Sequence, residues 1–286
     1  MLHVCYDLAT NPPTYDVCTF LGFAELARIE FEFSNIKVHI LPGPYFGFRK
    51  DSLWPYTTEE RNELLKNIVV PMFDLLPSVF KVEIHKTRLK EHSNFYGHMN
   101  RLISLPNFIK LMEAGIRPLR FPVTQTQIEN LVTITLREAD HHPLRNSNVA
   151  EWIKAAHILE KMGYIVIVIR DTLKSDQVID GLQISMSASK NLLARASFYS
   201  RAVMNLGINN GPMWMAIMMN APVLMLKPTT NILGGCYDDN FFKHCGLSPG
   251  AQLPTSPPYQ HIAWLEDTCE NIINSFNKVM TQCRNG

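Results

Sequence analysis

The sequence predicts an α/β protein built from two Rossmann-like domains, each a mostly parallel sheet flanked by helices, facing one another across a cleft. Three observations lead there. Runs of strand character alternate with runs of helical apolar spacing along the 286 residues, the pattern that builds parallel sheets with helices on both faces. Several strand runs, "YIVIVIRD" and "APVLML" among them, are nearly continuous apolar stretches, as strands buried on both faces are. The stretch "RPLRFPVTQTQIEN", 117–130, mixes prolines with uncharged polar residues. It reads as a linker and sets the domains at 1–122 and 123–286, with the final helix free to pack back on the first.

In the first half, "LHVCYDL" reads as a strand running into a polar loop. Helical spacing follows from Asp16 through Val17, Phe20, Leu21, Ala24, Ala27 and Phe31. "IKVHIL" is a second strand, closed by Pro42-Gly43-Pro44, and "KVEIH" a third. Between them, Thr57 followed by Glu60 is a capping-box pattern opening a helix through Leu64, Leu65, Ile68 and Met72. Residues 102–114 form a helix that Gly115 can end.

The second half repeats the rhythm. "NLVTITL" is a strand, and 148–162 a helix with Trp152, Ala155, Ala156, Leu159 and Met162 on one stripe, ended by Gly163. "YIVIVIRD" is a strand, 188–199 a helix, "RAVMNLG" a strand, and "APVLML" another. Residues 228–260, rich in Pro, Gly and Asn, read as a long loop before a last helix at about 265–282.

The stretch 207–226, "GINNGPMWMAIMMNAPVLML", holds no charged residue and has the ~20-residue length of a membrane span. Its asparagines and Gly211-Pro212 argue instead for strand, turn, helix and strand in a buried core. Charge is balanced, with 27 basic and 26 acidic residues, which argues against a dedicated nucleic-acid binder. Six Cys without a CxxC pair suggest reduced thiols and a cytoplasmic protein. The first residues lack the basic flank and apolar run of a secretory signal.

In that stretch, Asn209 or Asn210 can cap a helix, Pro212 suits a first-turn position, and Gly211 permits close approach to the backbone. Such a helix start favours an anion, phosphate above all, but an ordinary capped helix uses the same groups. The loop "READHHPLRNSN" is a second candidate. Arg137 and Arg145 bracket it, and an Arg fork matches paired phosphate oxygens; Arg137 and Glu138 could equally pair with each other. Asn146 and Ser147 are helix-start donors. Asp171 and Thr172, ending the strongest strand, could meet a nucleoside or merely turn the chain, and Arg195 could reach the same pocket or a surface carboxylate. Tyr45 and Arg49 in "PGPYFGFR" could contact an acceptor or simply cover the sheet. Neither Asp140-His141-His142 nor Asp238-Asp239 has the ligand count or spacing of a metal site, so no metal is expected. No GxSxG, GxxxxGK[ST] or GxGxxG pattern is present in the required context.

"NNGPMWMAIMMNAPVLML" resembles the signature near the end of the ADP-heptose:lipopolysaccharide heptosyltransferase family: a polar pair, Gly-Pro-Met, an apolar helix, a small turn, Pro-Val and an apolar strand. The resemblance covers roughly 200–230, extends more faintly over 131–172, and reaches the first half only in rhythm. Trp214 stands where members often have His. It implies the two-Rossmann GT-B fold and a metal-independent glycosyltransferase using a nucleotide-diphosphate sugar as substrate, with no cofactor. A sugar-nucleotide epimerase or a non-catalytic nucleotide-sugar-binding protein on the same fold are the alternatives. The implied donor-diphosphate groups are Arg137, Arg145, Asn146, Asn209, Asn210, Gly211 and Met213. The implied catalytic base is an Asp in the first loop, Asp7 before Asp16, though each has a local role open to it in the turn or as a cap. The acceptor is a carbohydrate, a lipid-linked molecule or a protein, which leaves peripheral membrane contact open.

Overall fold

The computed structural model describes residues 1–50, 56–89, 105–123, 126–140, 143–226 and 247–285. The chain is mixed α/β and divides into two compact units, Met1–Pro122 and Val123–Gly286. Asp238-Asp239 and His141-His142 lie outside the described residues.

The first unit carries a parallel sheet ordered β1-β2-β3, formed by Leu2–Asp7, Ile36–Leu41 and Val79–Ile84. Alternation sends Leu2, Val4, Tyr6, Ile36, Val38 and Ile40 to one buried face. Helix α1 (Val17–Glu30) buries Val17, Phe20, Leu21, Ala24 and Ala27. Tyr6 meets Phe20 and Phe73 edge-on, at 5.1 and 6.2 Å between ring centroids. The capping box of Thr57 and Glu60 opens α2 (Thr58–Leu64). That helix continues through a wide π-turn, Leu65–Val69, into α3 (Val70–Phe73). Pro71 accounts for the widening, because it has no N–H to donate and its ring would strike the carbonyl one turn back. Helix α4 (Leu105–Glu113) packs on α1.

The second unit is a six-stranded, all-parallel sheet. Its strands are β4 (Ile128–Thr135), β5 (Ile165–Ile169), β6 (Gln183–Ile184), β7 (Ala202–Ile208), β8 (Val223–Leu226) and β9 (Gln260–Ala263), ordered β6-β5-β4-β7-β8-β9. The chain starts in the middle, winds outward to β6, and returns to the other side of β4. That is the order of doubly wound nucleotide-binding sheets, with the switch point between β4 and β7. The helices are α5 (Val149–Lys161), α6 (Met186–Lys190), α7 (Leu192–Arg201), α8 (Gly211–Met218) and α9 (Cys269–Asn285). The expected single helix over 188–199 is split at Asn191, whose side chain caps α7 by accepting from the Ala194 N–H at 3.0 Å. The final helix belongs to the second unit: Ile272, Phe276 and Val279 join Trp152, Leu159, Val166 and Leu224 in its core.

The uncharged stretch is therefore interior: the end of β7, then α8 and β8, with Leu206, Met213, Met215, Ala216 and Leu224 fully buried. Among the described residues no helix is long and apolar enough to cross a membrane.

Helices α5 and α9 cap each other. Asp267 accepts from the Asn148 N–H at 2.8 Å and the Trp152 indole N–H at 2.7 Å, while Glu151 accepts from the Cys269 N–H at 2.8 Å. Asp267→Ala strands the buried Trp152 indole N–H and frees the partly buried Asn148 N–H, so it is expected to lower unfolding free energy by about 1–3 kcal/mol. Urea denaturation of the variant tests this, and an unchanged midpoint would rule it out.

Candidate functional site

The loops leaving β4 and β7 flank the switch point. The loop after β4 is closed by its own main chain: the Arg137 N–H donates to the Ser147 hydroxyl and the Ser147 N–H to the Arg137 carbonyl, both at 2.9 Å. Asn146 organises the loop. Its side-chain oxygen accepts from the Ala139 N–H at 3.1 Å and from the Arg137 guanidinium, and its NH₂ donates to the Ala139 carbonyl at 2.9 Å. Asn146 thus positions Arg137, whose side chain is buried at the sheet edge. Arg145 ends a 3₁₀ turn, Pro143–Arg145, and is half-buried. Glu138 does not pair with Arg137. It forms a two-pronged ion pair with Arg170, which also donates to the Gln177 carbonyl at 2.8 Å.

After β7, Asn209 continues the ladder through its N–H to Leu226 at 3.0 Å, and Asn210 caps α8 by accepting from the Met213 N–H at 3.0 Å. The Trp214 N–H goes to the Asn210 carbonyl at 3.3 Å, and Pro212 has no N–H. Gly211 therefore holds the first-turn donor still without an acceptor among the described residues. The amide nitrogen of Asn210 is buried and likewise unpartnered among them. The partly buried Gly211 N–H and the buried Asn210 amide thus stand together beside the switch point, at the positive end of α8. Met213 serves to seat this helix. Its sulfur lies where a Cβ on Gly207 would come within 2.9 Å, with the Thr135 carbonyl at 3.0 Å, so the glycine makes room on β7 for the Met213 side chain and for the neighbouring β4 main chain.

Asp171 follows β5 without capping the next turn, and its carboxylate lies 3.5 Å from the Glu138 N–H. The Thr172 hydroxyl donates to the Ser189 carbonyl at 3.0 Å. Beneath the switch point lies a polar seam that the sequence reading missed. Thr135 meets the Tyr199 hydroxyl at 2.7 Å, Tyr199 is hydrogen-bonded to Arg195, and Arg195 donates to the Ala188 carbonyl at 2.8 Å. Thr133 donates to Asn205 at 2.7 Å, and Asn205 donates to the Tyr199 and Pro222 carbonyls. Sequence offered a faint signal for it, polar residues inside otherwise apolar strands.

In the first unit, Asp7 ends β1. Arg88 grips both its oxygens, at 2.8 and 2.6 Å, and the Ala9 N–H donates to it at 2.9 Å. Arg88 was not singled out from sequence. Asp16 occupies the N-cap position of α1, yet its side chain makes no capping bond. Arg49 donates to the Thr10 carbonyl at 3.0 Å and so ties the loop after β2 to the loop after β1. Tyr45 is exposed, with the Lys50 ammonium 5.8 Å from its ring centre. Burial pushes the Cys5 thiol up to about 11 and that of Cys18 up to about 12, so both are inert.

The opposite face of the same sheet carries a histidine row. His3 Nδ1 lies 3.1 Å from His39 Nε2, and His39 Nδ1 lies 3.0 Å from His85 Nε2, with the rings stacked at 5.2 Å. Glu83 sits beside them, between Lys37 and Lys81 at 3.0 and 2.7 Å. The search for metal ligands along the sequence found no sufficient set; the fold brings His39, Glu83 and His85 together from neighbouring strands.

Burial, with Lys37 and the two histidines adding to it, lowers His39 from 6.5 to about 4. A neutral His39 thus contributes stability that is fully present above pH 6.5 and is lost as pH falls toward 4. The expected loss is on the order of 2 kcal/mol. Urea midpoints for the protein and His39→Leu between pH 7 and 4.5 check this: the two should converge as pH falls, and parallel curves would remove His39 as the cause.

No protein-family model matches the chain, and no curated protein does. Among solved structures, it resembles the bacterial iron-containing dodecameric glycosyltransferase TibC from enterotoxigenic E. coli H10407, with a TM-score of 0.56 and 12% identity over 99% of this chain and 77% of that one. The structure of the dodecameric iron-containing heptosyltransferase TibC with ADP-D-β-D-heptose matches equally, at 0.56 and 13% over 98% and 76%. E. coli heptosyltransferase WaaC with ADP gives 0.47 and 9% over 99% and 98%. The chain shares a glycosyltransferase fold, and it resembles heptosyltransferases in three dimensions as it does in its 209–226 stretch.

Proposed function

We propose that the chain transfers a glycosyl group from a nucleoside-diphosphate sugar to an acceptor hydroxyl, with inversion and without a metal on the diphosphate. The observation that carries this is the switch point between β4 and β7: the buried Arg137 follows β4, α8 starts just past β7, and the N–H of Gly211 and the amide of Asn210 lack acceptors among the described residues. A pyrophosphate supplies the oxygens those donors lack, and Arg145 stands in the same loop to add charge. Asn146 and Asn209 hold the two loops in place. Asp171 is suited to the nucleoside ribose, since it follows the second strand of the unit, where such sheets place a ribose-binding acid; Thr172 steadies that turn.

In the transfer, a carboxylate takes the acceptor's proton as its oxygen attacks the anomeric carbon. The bond from that carbon to the phosphate oxygen breaks, and the diphosphate departs with its charge on Arg137, Arg145 and the α8 terminus. We assign the base to Asp16 ahead of Asp7, because Arg88 holds both oxygens of Asp7. Tyr45 and Arg49, on the loop after β2, are offered to the acceptor. The thiols Cys5 and Cys18, free and buried, suit a reducing cytoplasm.

A thermal-shift screen of ADP, UDP, GDP and CMP compounds and their sugars tests the reading. ADP-sugars come first, since TibC was solved with one. One diphosphate series should raise Tm by several degrees at saturating concentration, an effect reduced in Arg145→Ala. If no nucleotide at millimolar concentration moves Tm, the donor assignment fails.

A further inference from the structure

We infer that His39, Glu83 and His85 form a binding site for one divalent first-row transition metal ion, pinning β3 to β2 in the first unit. The three ligand atoms, His39 Nδ1, His85 Nε2 and Glu83 Oε2, stand 3.0, 3.7 and 3.9 Å apart. A point equidistant from all three lies about 2.1 Å from each, which matches zinc–imidazole and zinc–carboxylate bond lengths. Two imidazoles and one carboxylate are a zinc or ferrous donor set and a poor one for magnesium or calcium, which take mostly oxygen.

The second observation is His3. For Nδ1 of His39 to offer a lone pair, its Nε2 must carry the proton and donate it. His3 Nδ1 is placed 3.1 Å away to accept it, the outer hydrogen bond that fixes the tautomer of ligating histidines. Without an ion, the 3.0 Å contact between His39 and His85 is held by one shared proton; the metal replaces that proton. His39 is buried, while the side chains of Glu83 and His85 remain 29% and 19% exposed, so solvent can reach the ion and complete its coordination.

Lys37 is the opposing feature. Its ammonium bonds the same Glu83 oxygen at 3.0 Å, while Lys81 holds the other oxygen at 2.7 Å. An entering cation displaces Lys37 and feels its charge, so removing that charge tightens binding. TibC is an iron-containing protein, but at 12% identity no ligand transfers from it; the site stands on this chain's geometry. It does not depend on the glycosyl-transfer reading and is assigned no step in that reaction.

The test uses the full chain, stripped with EDTA and titrated with ZnCl₂ by calorimetry, and with CoCl₂ for its visible spectrum. One ion should bind per chain, and cobalt should give d–d bands of a nitrogen- and oxygen-ligated ion. Glu83→Gln and His85→Ala should each weaken zinc more than ~100-fold, His3→Phe ~10–100-fold, and Lys37→Met should tighten it. Circular dichroism confirms that each variant is folded. Glu83 is partly exposed, so its variant keeps the test valid if His85→Ala does not fold. Millimolar Mg²⁺ should not compete. No saturable zinc binding by the wild-type chain, or undiminished binding in folded Glu83→Gln, overturns the proposal.

Discussion

Asp16→Asn is expected to slow sugar transfer by roughly 10²- to 10⁴-fold, the usual contribution of a positioned general base, while donor affinity stays within about threefold. The amide keeps the size and place of the carboxylate but cannot take a proton. The helix should survive, because Asp16 makes no capping hydrogen bond to α1. Asp7→Asn is the control with a different signature. It removes charge from the Arg88 fork and keeps one acceptor for the Ala9 N–H. Its effect should be smaller on kcat and visible in stability. The measurement is single-turnover transfer with the donor identified by thermal shift. Full activity in Asp16→Asn together with loss in Asp7→Asn would move the base to Asp7 and require the Arg88 pair to open during turnover.

Arg137→Ala should weaken nucleoside-diphosphate binding by about 10- to 100-fold, the worth of one charge-assisted fork on phosphate. The loop should stay closed in this variant, since the Arg137–Ser147 bonds run through main-chain groups of Arg137 and persist without its side chain. Arg137→Lys should recover only part of the affinity, because an ammonium cannot span two oxygens. Calorimetry at two salt concentrations checks this. Equal affinity in all three proteins would show that Arg137 serves the fold and not the ligand.

Elements with a strong period were legible in the sequence. "IKVHIL" coincides with β2, the Thr57–Glu60 box opens α2, and Gly115 and Gly163 stand past their helices at positive φ. The short strands β6 and β9 were not, because two to four residues carry no period, and β9 begins at the last residue of what read as loop. The π-turn was hidden for a similar reason: a single Pro71 shifts hydrogen bonds without altering the apolar pattern. At the candidate site, capping chemistry marked Asn210, and Arg137 was visible as a loop arginine. Partners were another matter. Arg170 for Glu138, Arg88 for Asp7, and the convergence of His3, His39, Glu83 and His85 are all products of strand register, which a linear reading cannot supply.

The most direct test is a crystal structure of the chain with the nucleoside diphosphate that stabilises it. The pyrophosphate should lie between the loops after β4 and β7, with its oxygens within about 3.2 Å of the Arg137 guanidinium and of the Gly211 N–H. A diphosphate bound elsewhere on the chain, or that corner filled by the protein's own side chains, would contradict the assignment.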